Sequence, residues 1–226
     1  MLARLEEVTK RYGRTEGLRE LSVEFPAGEV VGVLGLNGSG KTTLLKLLGG
    51  LLFPTAGRVM VFDGTPRGNR ARSVYLGETD ALYSWMTPAE AKRFMAGLYR
   101  DFRPERYEEL LEALEVPRRK TKTMSRGERG RLRLAMALAR EARLYLLDEP
   151  LAGIDLLSRE KILGSLVREW QPDATILLST HEVAEAEGLF ERVLLLREGR
   201  LALDARAETL RESGKSVVAA FREVLG

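Results

Sequence analysis

Eight residues, Gly35-Leu36-Asn37-Gly38-Ser39-Gly40-Lys41-Thr42, constrain this chain more than any other stretch. They fill the spacing of a glycine-rich loop that closes on Lys-Thr. Before them runs an apolar segment (Val30, Val31, Val33, Leu34), and after them residues 42–48 carry helical periodicity. Glycines allow successive backbone N–H groups to turn inward around an anion without side-chain clash. The helix that follows points its positive end at the same place. The pattern therefore reads as a buried strand, a phosphate-wrapping loop and a helix. Lys41 is placed to reach the β- and γ-phosphates of a nucleoside triphosphate, and the Thr42 hydroxyl to ligate Mg2+. Thr43 joins residues 35–42 in the expected nucleotide contact set.

The rest of the chain alternates strands and helices around an all-helical stretch. Leu21, Val23 and Phe25 alternate with polar residues, as a half-buried strand requires. Residues 58–62 and 73–76 read as further strands. Between residues 88 and 114 the period changes to that of a helix. One stripe is Ala91, Phe94, Met95 and Leu98, and another is Tyr107, Leu110, Leu111 and Leu114. A third helix is expected over residues 127–140. Strands return at 144–147, 175–178 and 192–196, separated by helices at 159–170 and 182–190, with a last helix at 216–225. Such alternation implies a parallel sheet with helices on both faces.

The run Leu144-Tyr145-Leu146-Leu147 ends in Asp148-Glu149-Pro150. At the end of a parallel strand Asp148 would face a phosphate crevice and hold the water shell of Mg2+. Glu149 could then take a proton from an attacking water. A solvated acidic turn is the bland alternative, and the glycine loop upstream argues against it. His181 is the only histidine, and it follows the apolar run Leu177-Leu178-Ser179-Thr180. It reads as a γ-phosphate sensor or, alternatively, as a capping or core histidine.

Bulk properties exclude several classes. The 226 residues suffice for a single domain with a sizeable core. There is no cysteine, so neither disulfides nor thiolate metal sites exist. The 36 basic and 33 acidic residues leave a net charge of +3, too little to argue for a nucleic-acid partner. The longest apolar runs are short and interrupted, so no transmembrane helix or signal peptide is read. The expectation is a cytoplasmic protein whose membrane role, if any, comes through a partner. Gln171 is the only glutamine, and Asn37 and Asn69 are the only asparagines. Scarce amides fit a thermophilic source or a GC-rich genome equally.

Taken together, these motifs resemble the nucleotide-binding subunit of ATP-binding cassette (ABC) transporters, over essentially the whole length. The resemblance implies an α/β P-loop NTPase core with a mixed, largely parallel sheet. An N-terminal antiparallel β subdomain and an inserted α-helical subdomain would complete an ABC ATPase fold. It implies one domain, with a core at about 1–76 and 142–226 and a helical subdomain at about 77–141. The family's signature, usually LSGGQ, corresponds to Met124-Ser125-Arg126-Gly127-Glu128 at the end of that subdomain. Tyr12 would stack on adenine, though an ordinary surface aromatic is the alternative. Asp155 would contact a second subunit after the acidic pair, or simply cap the helix that follows it. His181 would be the switch histidine, with Lys41, Glu149 and His181 as the catalytic set.

Three positions depart from the family pattern in charge. Arg126 replaces the first signature glycine and Glu128 its glutamine. Glu78 stands where the family has the glutamine that reaches Mg2+ and the attacking water. Glu keeps a side-chain oxygen at equal reach, so Glu78 joins Thr42 and Asp148 as a metal ligand. Ser125, Arg126, Gly127 and Glu128 would meet the nucleotide of a partner subunit.

The implied cofactors are ATP and Mg2+. The implied partners are a second nucleotide-binding subunit, identical or not, and an integral membrane permease that holds the chain at the inner face of the membrane. The segment with Leu82, Tyr83, Trp85 and Met86 reads either as the coupling surface or as core of the helical insert. The signature variant and the run LGETDALYSWMT resemble export-type subunits more than importers. A soluble cassette ATPase of a cluster-assembly or cell-division complex is the alternative function.

Overall fold

The computed structural model describes residues 1–79, 82–152 and 173–225. Asp155 and the helix expected at 159–170 lie outside them. The chain divides into two compact units. The first holds Met1–Tyr75, Arg143–Glu149 and the described residues from 173 on, and the second holds Leu76–Ala142 with residues 150–152.

Two sheets build the first unit. In the smaller, β1 (Ala3–Tyr12) pairs antiparallel with both β2 (Thr15–Phe25) and β4 (Ala56–Val61), in the order β2-β1-β4. The larger sheet has the order β5-β6-β7-β3-β8-β9. Its strands are β3 (Val30–Leu34), β5 (Ser73–Leu76), β6 (Leu144–Asp148), β7 (Thr175–Thr180), β8 (Arg192–Arg197) and β9 (Arg200–Arg206). Strand β3 runs parallel to β7 and β8, and β6 parallel to β7; β9 closes the edge antiparallel to β8. Every residue of β3, β6 and β7 is buried, as expected of strands covered on both faces. Leu34 stands beside Thr180, and Asp148 beside Ser179. Three parallel strands thus deliver their carboxyl ends to one edge, where an open α/β sheet places its ligands.

The core of this unit joins both sheets and the helix α1 (Lys41–Leu48). Leu5, Val8, Leu18 and Phe25 from the small sheet meet Leu44, Leu45 and Leu48 from the helix. Val31, Leu146 and Leu177 come from the large sheet. The helix expected at 182–190 is shorter than its pattern, with one α-helical turn at Val183–Ala186 and a 3-10 turn at Glu187–Leu189.

The second unit is helical. Its helices are α2 (Pro88–Leu98), α3 (Pro104–Ala113) and α4 (Arg126–Leu138). Thr87 caps α2 by accepting the Glu90 N–H, while the Glu90 carboxylate accepts the Thr87 N–H, a reciprocal capping box. Tyr107 on α3 is buried and donates its hydroxyl proton to the Pro88 carbonyl at 3.0 Å, so α2 and α3 are keyed together. The core takes Ala91 and Met95 from α2, but Phe94 and Leu98, expected in the same stripe, are 43% and 58% exposed. The side of α2 that meets α3 and α4 is narrower than its apolar stripe.

Ahead of α2 the chain is pinned by backbone. The Thr121 N–H donates to the Met86 carbonyl, the Lys122 N–H to the Ser84 carbonyl, and the Thr121 hydroxyl to the Tyr83 carbonyl. Met86 is buried, whereas Tyr83 and Trp85 are each 54% exposed and stack on one another with centroids 5.6 Å apart. Of the two readings of this segment, core holds for Met86 and fails for the two aromatic rings. Among the described residues no helix is long and apolar enough to cross a membrane.

Candidate active site

The glycine loop leaves β3 at Gly35 with φ 150° and reaches α1 through Gly40 with φ 107°. A Cβ at Gly40 would stand 2.5 Å from the Gly17 carbonyl oxygen, and one at Gly35 2.4 Å from Ser39 Oγ. Only glycine fits either place. Gly38, with φ 81°, has nothing within 4 Å of where its Cβ would point, so the loop is open on that side. Helix α1 carries no side-chain cap and no acidic residue in its first turn. Its positive end is therefore unopposed from within the helix.

Lys41 is buried and folds back over the loop. Its Nζ donates to the Gly35 carbonyl at 2.8 Å and to that of Leu36 at 3.2 Å. The same ammonium lies 3.8 Å from Glu149 Oε1. Ser39 Oγ is buried and has no hydrogen-bond partner among the described residues. An orphaned hydroxyl inside a glycine loop is what a phosphate oxygen would satisfy.

Asp148 is the last residue of β6, and Glu149 follows it directly. Asp148 is 1% exposed. Its Oδ1 accepts the Ser179 hydroxyl at 2.7 Å and that of Thr42 at 3.1 Å, and its Oδ2 accepts the Tyr75 hydroxyl at 3.2 Å. Glu149 adopts φ 50°, a left-handed conformation unusual for a side-chain-bearing residue. Its N–H is shared between the Ser179 carbonyl at 3.2 Å and Ser179 Oγ at 3.0 Å. That turn directs the Glu149 carboxylate to His181, whose Nδ1 is 3.0 Å from Oε2. Glu149 thus lies between a lysine and an imidazole. The His181 ring is 47% exposed, which excludes a core role for it.

Among the described residues no group of three acidic or imidazole side chains could hold a metal by itself. The donor set of Asp148 and Thr42 suits Mg2+, which keeps waters and takes phosphate oxygens beside one or two carboxylates. The residues present therefore fit a magnesium triphosphate. Tyr12 is half exposed, its hydroxyl 3.3 Å from Thr43 Oγ1, with Lys10 Nζ 5.4 Å from its ring centroid. The structure brings Tyr12, residues 35–43, Asp148, Glu149 and His181 together in the first unit.

Glu78 and residues 125–128 belong to the second unit. Ser125 is the N-cap of α4 and accepts the Glu128 N–H at 3.2 Å, while Glu128 Oε2 accepts the Ser125 N–H at 2.7 Å. Arg119 Nη2 also donates to both Glu128 oxygens, at 2.9 Å to Oε1 and 2.8 Å to Oε2. The Ser125 N–H, ahead of Arg119, holds the Glu128 carboxyl below its ordinary 4.5. Glutamate in place of the signature's glutamine thus has a local structural role. Arg126 follows as the first residue of α4, and its guanidinium is 4.0 Å from the Glu78 carboxylate.

Two residues of the site were not anticipated. Ser179 binds both members of the acidic pair, and Tyr75 binds Asp148. The serine after the apolar residues of β7 is the signal that could have found the first; Tyr75 carried none.

A family profile described as "ABC transporter" matches residues 18–152. An aliphatic sulfonates import ATP-binding protein, SsuB 2 of Pseudomonas fluorescens, is 34% identical over 212 residues, covering 90% of this chain and 76% of that protein. A solved ATP-binding subunit of an ABC transporter superposes with TM-score 0.87 at 27% identity over the full length of both chains. A bacterial ABC transporter cassette, MJ0796, solved as a dimer, does so with TM-score 0.79 at 25% identity, covering 91% of this chain and 98% of that one. The export-type resemblance is corrected by these findings, since the sulfonate relative is an import protein. The features behind it are local ones, and the structure gives Glu128 a helix-capping role that carries no direction. With its fold and its profile in agreement, the chain belongs to the ABC transporter family.

Proposed function

We propose that this chain is the ATP-hydrolysing subunit of a membrane transporter, working in the import direction of its sulfonate relative and coupled to a separate permease. As a member of this family it is a Mg2+-dependent ATPase. What supports the assignment of roles most is one arrangement: Glu149 stands between Lys41 and His181 beside an open glycine loop.

Residues 35–42 wrap the phosphates, with backbone N–H groups, the Ser39 hydroxyl and the end of α1 as donors. Lys41 exchanges its carbonyl partners for phosphate oxygens and neutralises them. Thr42 and Asp148 would hold Mg2+, which would supply charge neutralisation at the transferred phosphoryl group when bound. Glu149 accepts the proton of the attacking water, and His181 orients that carboxylate through Nδ1. Tyr12 stacks on the base, and Thr43 supports it from the first turn of α1. Residues 125–128 and Asp155 meet the nucleotide site of a second cassette, so one chain holds half of each site. On this reading residues 1–226 form one ATPase domain whose helical subdomain ends at the signature, and the chain sits peripherally at the inner face of the membrane.

The permease is expected to dock on the exposed Tyr83–Trp85 stack, since large apolar side chains clustered in a loop mark an interaction surface. Co-expression with candidate permeases tests the assignment. A membrane partner that co-purifies and raises ATP turnover supports it; partnering only with soluble proteins would refute it.

A further inference from the structure

The buried carboxylate of Asp148 is gripped from both neighbouring strands. Strand β6, which ends at Asp148, lies between β5 and β7 in the large sheet. From β7, Ser179 Oγ donates to Oδ1 at 2.7 Å, and from β5 the Tyr75 hydroxyl donates to Oδ2 at 3.2 Å. Thr42, in the first turn of α1, also donates to Oδ1, at 3.1 Å. Among the described residues the Tyr75 hydroxyl is thus the sole donor to Oδ2. All four residues belong to the first compact unit. Tyr75 is partly buried against that unit's core, and its Cβ stands 3.6 Å from where a Cβ on Gly49, at the end of α1, would sit. Packing therefore holds the ring, and the ring carries one hydroxyl to the oxygen that Ser179 and Thr42 leave open. A carboxylate held on one oxygen alone can swing about its Cβ–Cγ bond; held on both, it keeps one plane.

We propose that Tyr75 is a positioning residue for Asp148, fixing the plane of this carboxylate before a metal arrives. The proposal rests on the reading of Asp148 as a Mg2+ ligand given above. Partners that orient a metal ligand from behind are worth about 10- to 100-fold in metal affinity. Without the Tyr75 hydroxyl the metal itself has to order the carboxylate, and that cost is subtracted from its binding. The phosphate-wrapping groups are held by other bonds. Lys41 donates to the Gly35 and Leu36 carbonyls, and the Gly199 N–H donates to the Ser39 carbonyl at 3.0 Å. The loss therefore falls on the metal and not on the nucleotide.

The test is Tyr75→Phe, which keeps the ring and its packing and deletes the one hydroxyl. Mn2+ is titrated into protein saturated with a non-hydrolysable ATP analogue, with free Mn2+ followed by electron paramagnetic resonance. Affinity for the analogue is measured separately in EDTA. Tyr107→Phe is the control, since it deletes a buried hydroxyl bonded to the Pro88 carbonyl within the helical unit. Tyr75→Phe should raise the Mn2+ concentration at half-filling about 10- to 100-fold, with metal-free analogue affinity within about twofold of the parent. Tyr107→Phe should leave both values at the parental level. Unchanged Mn2+ uptake by Tyr75→Phe would overturn the proposal. Tighter uptake would overturn it as well, because the hydroxyl would then only draw charge from the carboxylate. So would an equal loss of metal-free affinity, which would place the effect in the glycine loop. The same loss in Tyr107→Phe would overturn it by making the effect one of general stability. If the parent takes up no Mn2+ with the analogue, the metal-nucleotide reading itself fails, and this proposal falls with it.

Discussion

Ser179 Oγ donates to Asp148 Oδ1 at 2.7 Å and accepts the Glu149 N–H at 3.0 Å, so one hydroxyl ties both acidic residues to the neighbouring strand. The parallel register of β6 and β7 sets Asp148 directly opposite Ser179. Removing that hydroxyl leaves a buried carboxylate short of a donor, at a cost of about 1–3 kcal/mol. Ser179→Ala should therefore lower thermal stability and turnover together. Calorimetry and a steady-state ATPase assay check this, and unchanged values in both would show that the hydroxyl is dispensable.

Gly40→Ala and Gly38→Ala should differ in a defined order. Both residues have positive φ, and only at Gly40 does the new methyl meet backbone, 2.5 Å from the Gly17 carbonyl oxygen. Backbone strain of this kind costs about 1–3 kcal/mol, and the clash at Gly40 adds to it. Thermal unfolding should show Gly40→Ala several degrees below Gly38→Ala. A reversed order would mean that the loop relaxes freely at Gly40.

The capping of α4 should be sensitive to acid. Its Glu128 carboxyl is held below the ordinary 4.5 by the Ser125 N–H and then by Arg119. A carboxyl depressed in the folded state adds stability at pH above its unfolded value, and that stability is lost as pH falls through the folded value. Hydrogen exchange at the first turn of α4 should therefore rise relative to the rest of the helix below about pH 4.5. Glu128→Gln, which can still cap, should remove most of that pH dependence.

Tyr83→Ala combined with Trp85→Ala should leave the fold intact, since both rings are half exposed and stack mainly on each other. Transport in proteoliposomes with the cognate permease should be lost, while ATPase activity of the isolated chain stays within about twofold, as surface changes cost little. Loss of folding instead would assign the pair to the core.

Strands buried on both faces were legible as apolar runs, and β2 as the alternation of Leu21, Val23 and Phe25. The β3 run, broken only by Gly32, and Leu144 to Leu147 stand as apolar segments. Strand β1 was not legible because of its bulge. Glu7 takes φ 49°, the register with β2 shifts between Leu5 and Val8, and these two buried residues fall three apart instead of two. At the edge, β9 alternates only between exposed and half-buried residues and offers little pattern. Phe94 and Leu98 followed helical periodicity faithfully and still face outward, because periodicity does not report how wide a neighbour is. In the site, the glycine loop and the Asp148–Glu149 pair are local in sequence and could be read directly. The Ser179 and Tyr75 contacts depend on strand order across the sheet, which spacing along the chain does not encode.

The central claim is that Glu149 takes the proton of a water attacking a triphosphate held by residues 35–42. Single-turnover hydrolysis of radiolabelled ATP by Glu149→Gln, at saturating nucleotide and Mg2+, tests it most directly. The amide preserves size and a side-chain oxygen but accepts no proton, so hydrolysis should fall by about 10²–10⁴-fold while nucleotide binding is retained and an ATP-stabilised dimer accumulates. Hydrolysis by Glu149→Gln at the parental rate would contradict the account.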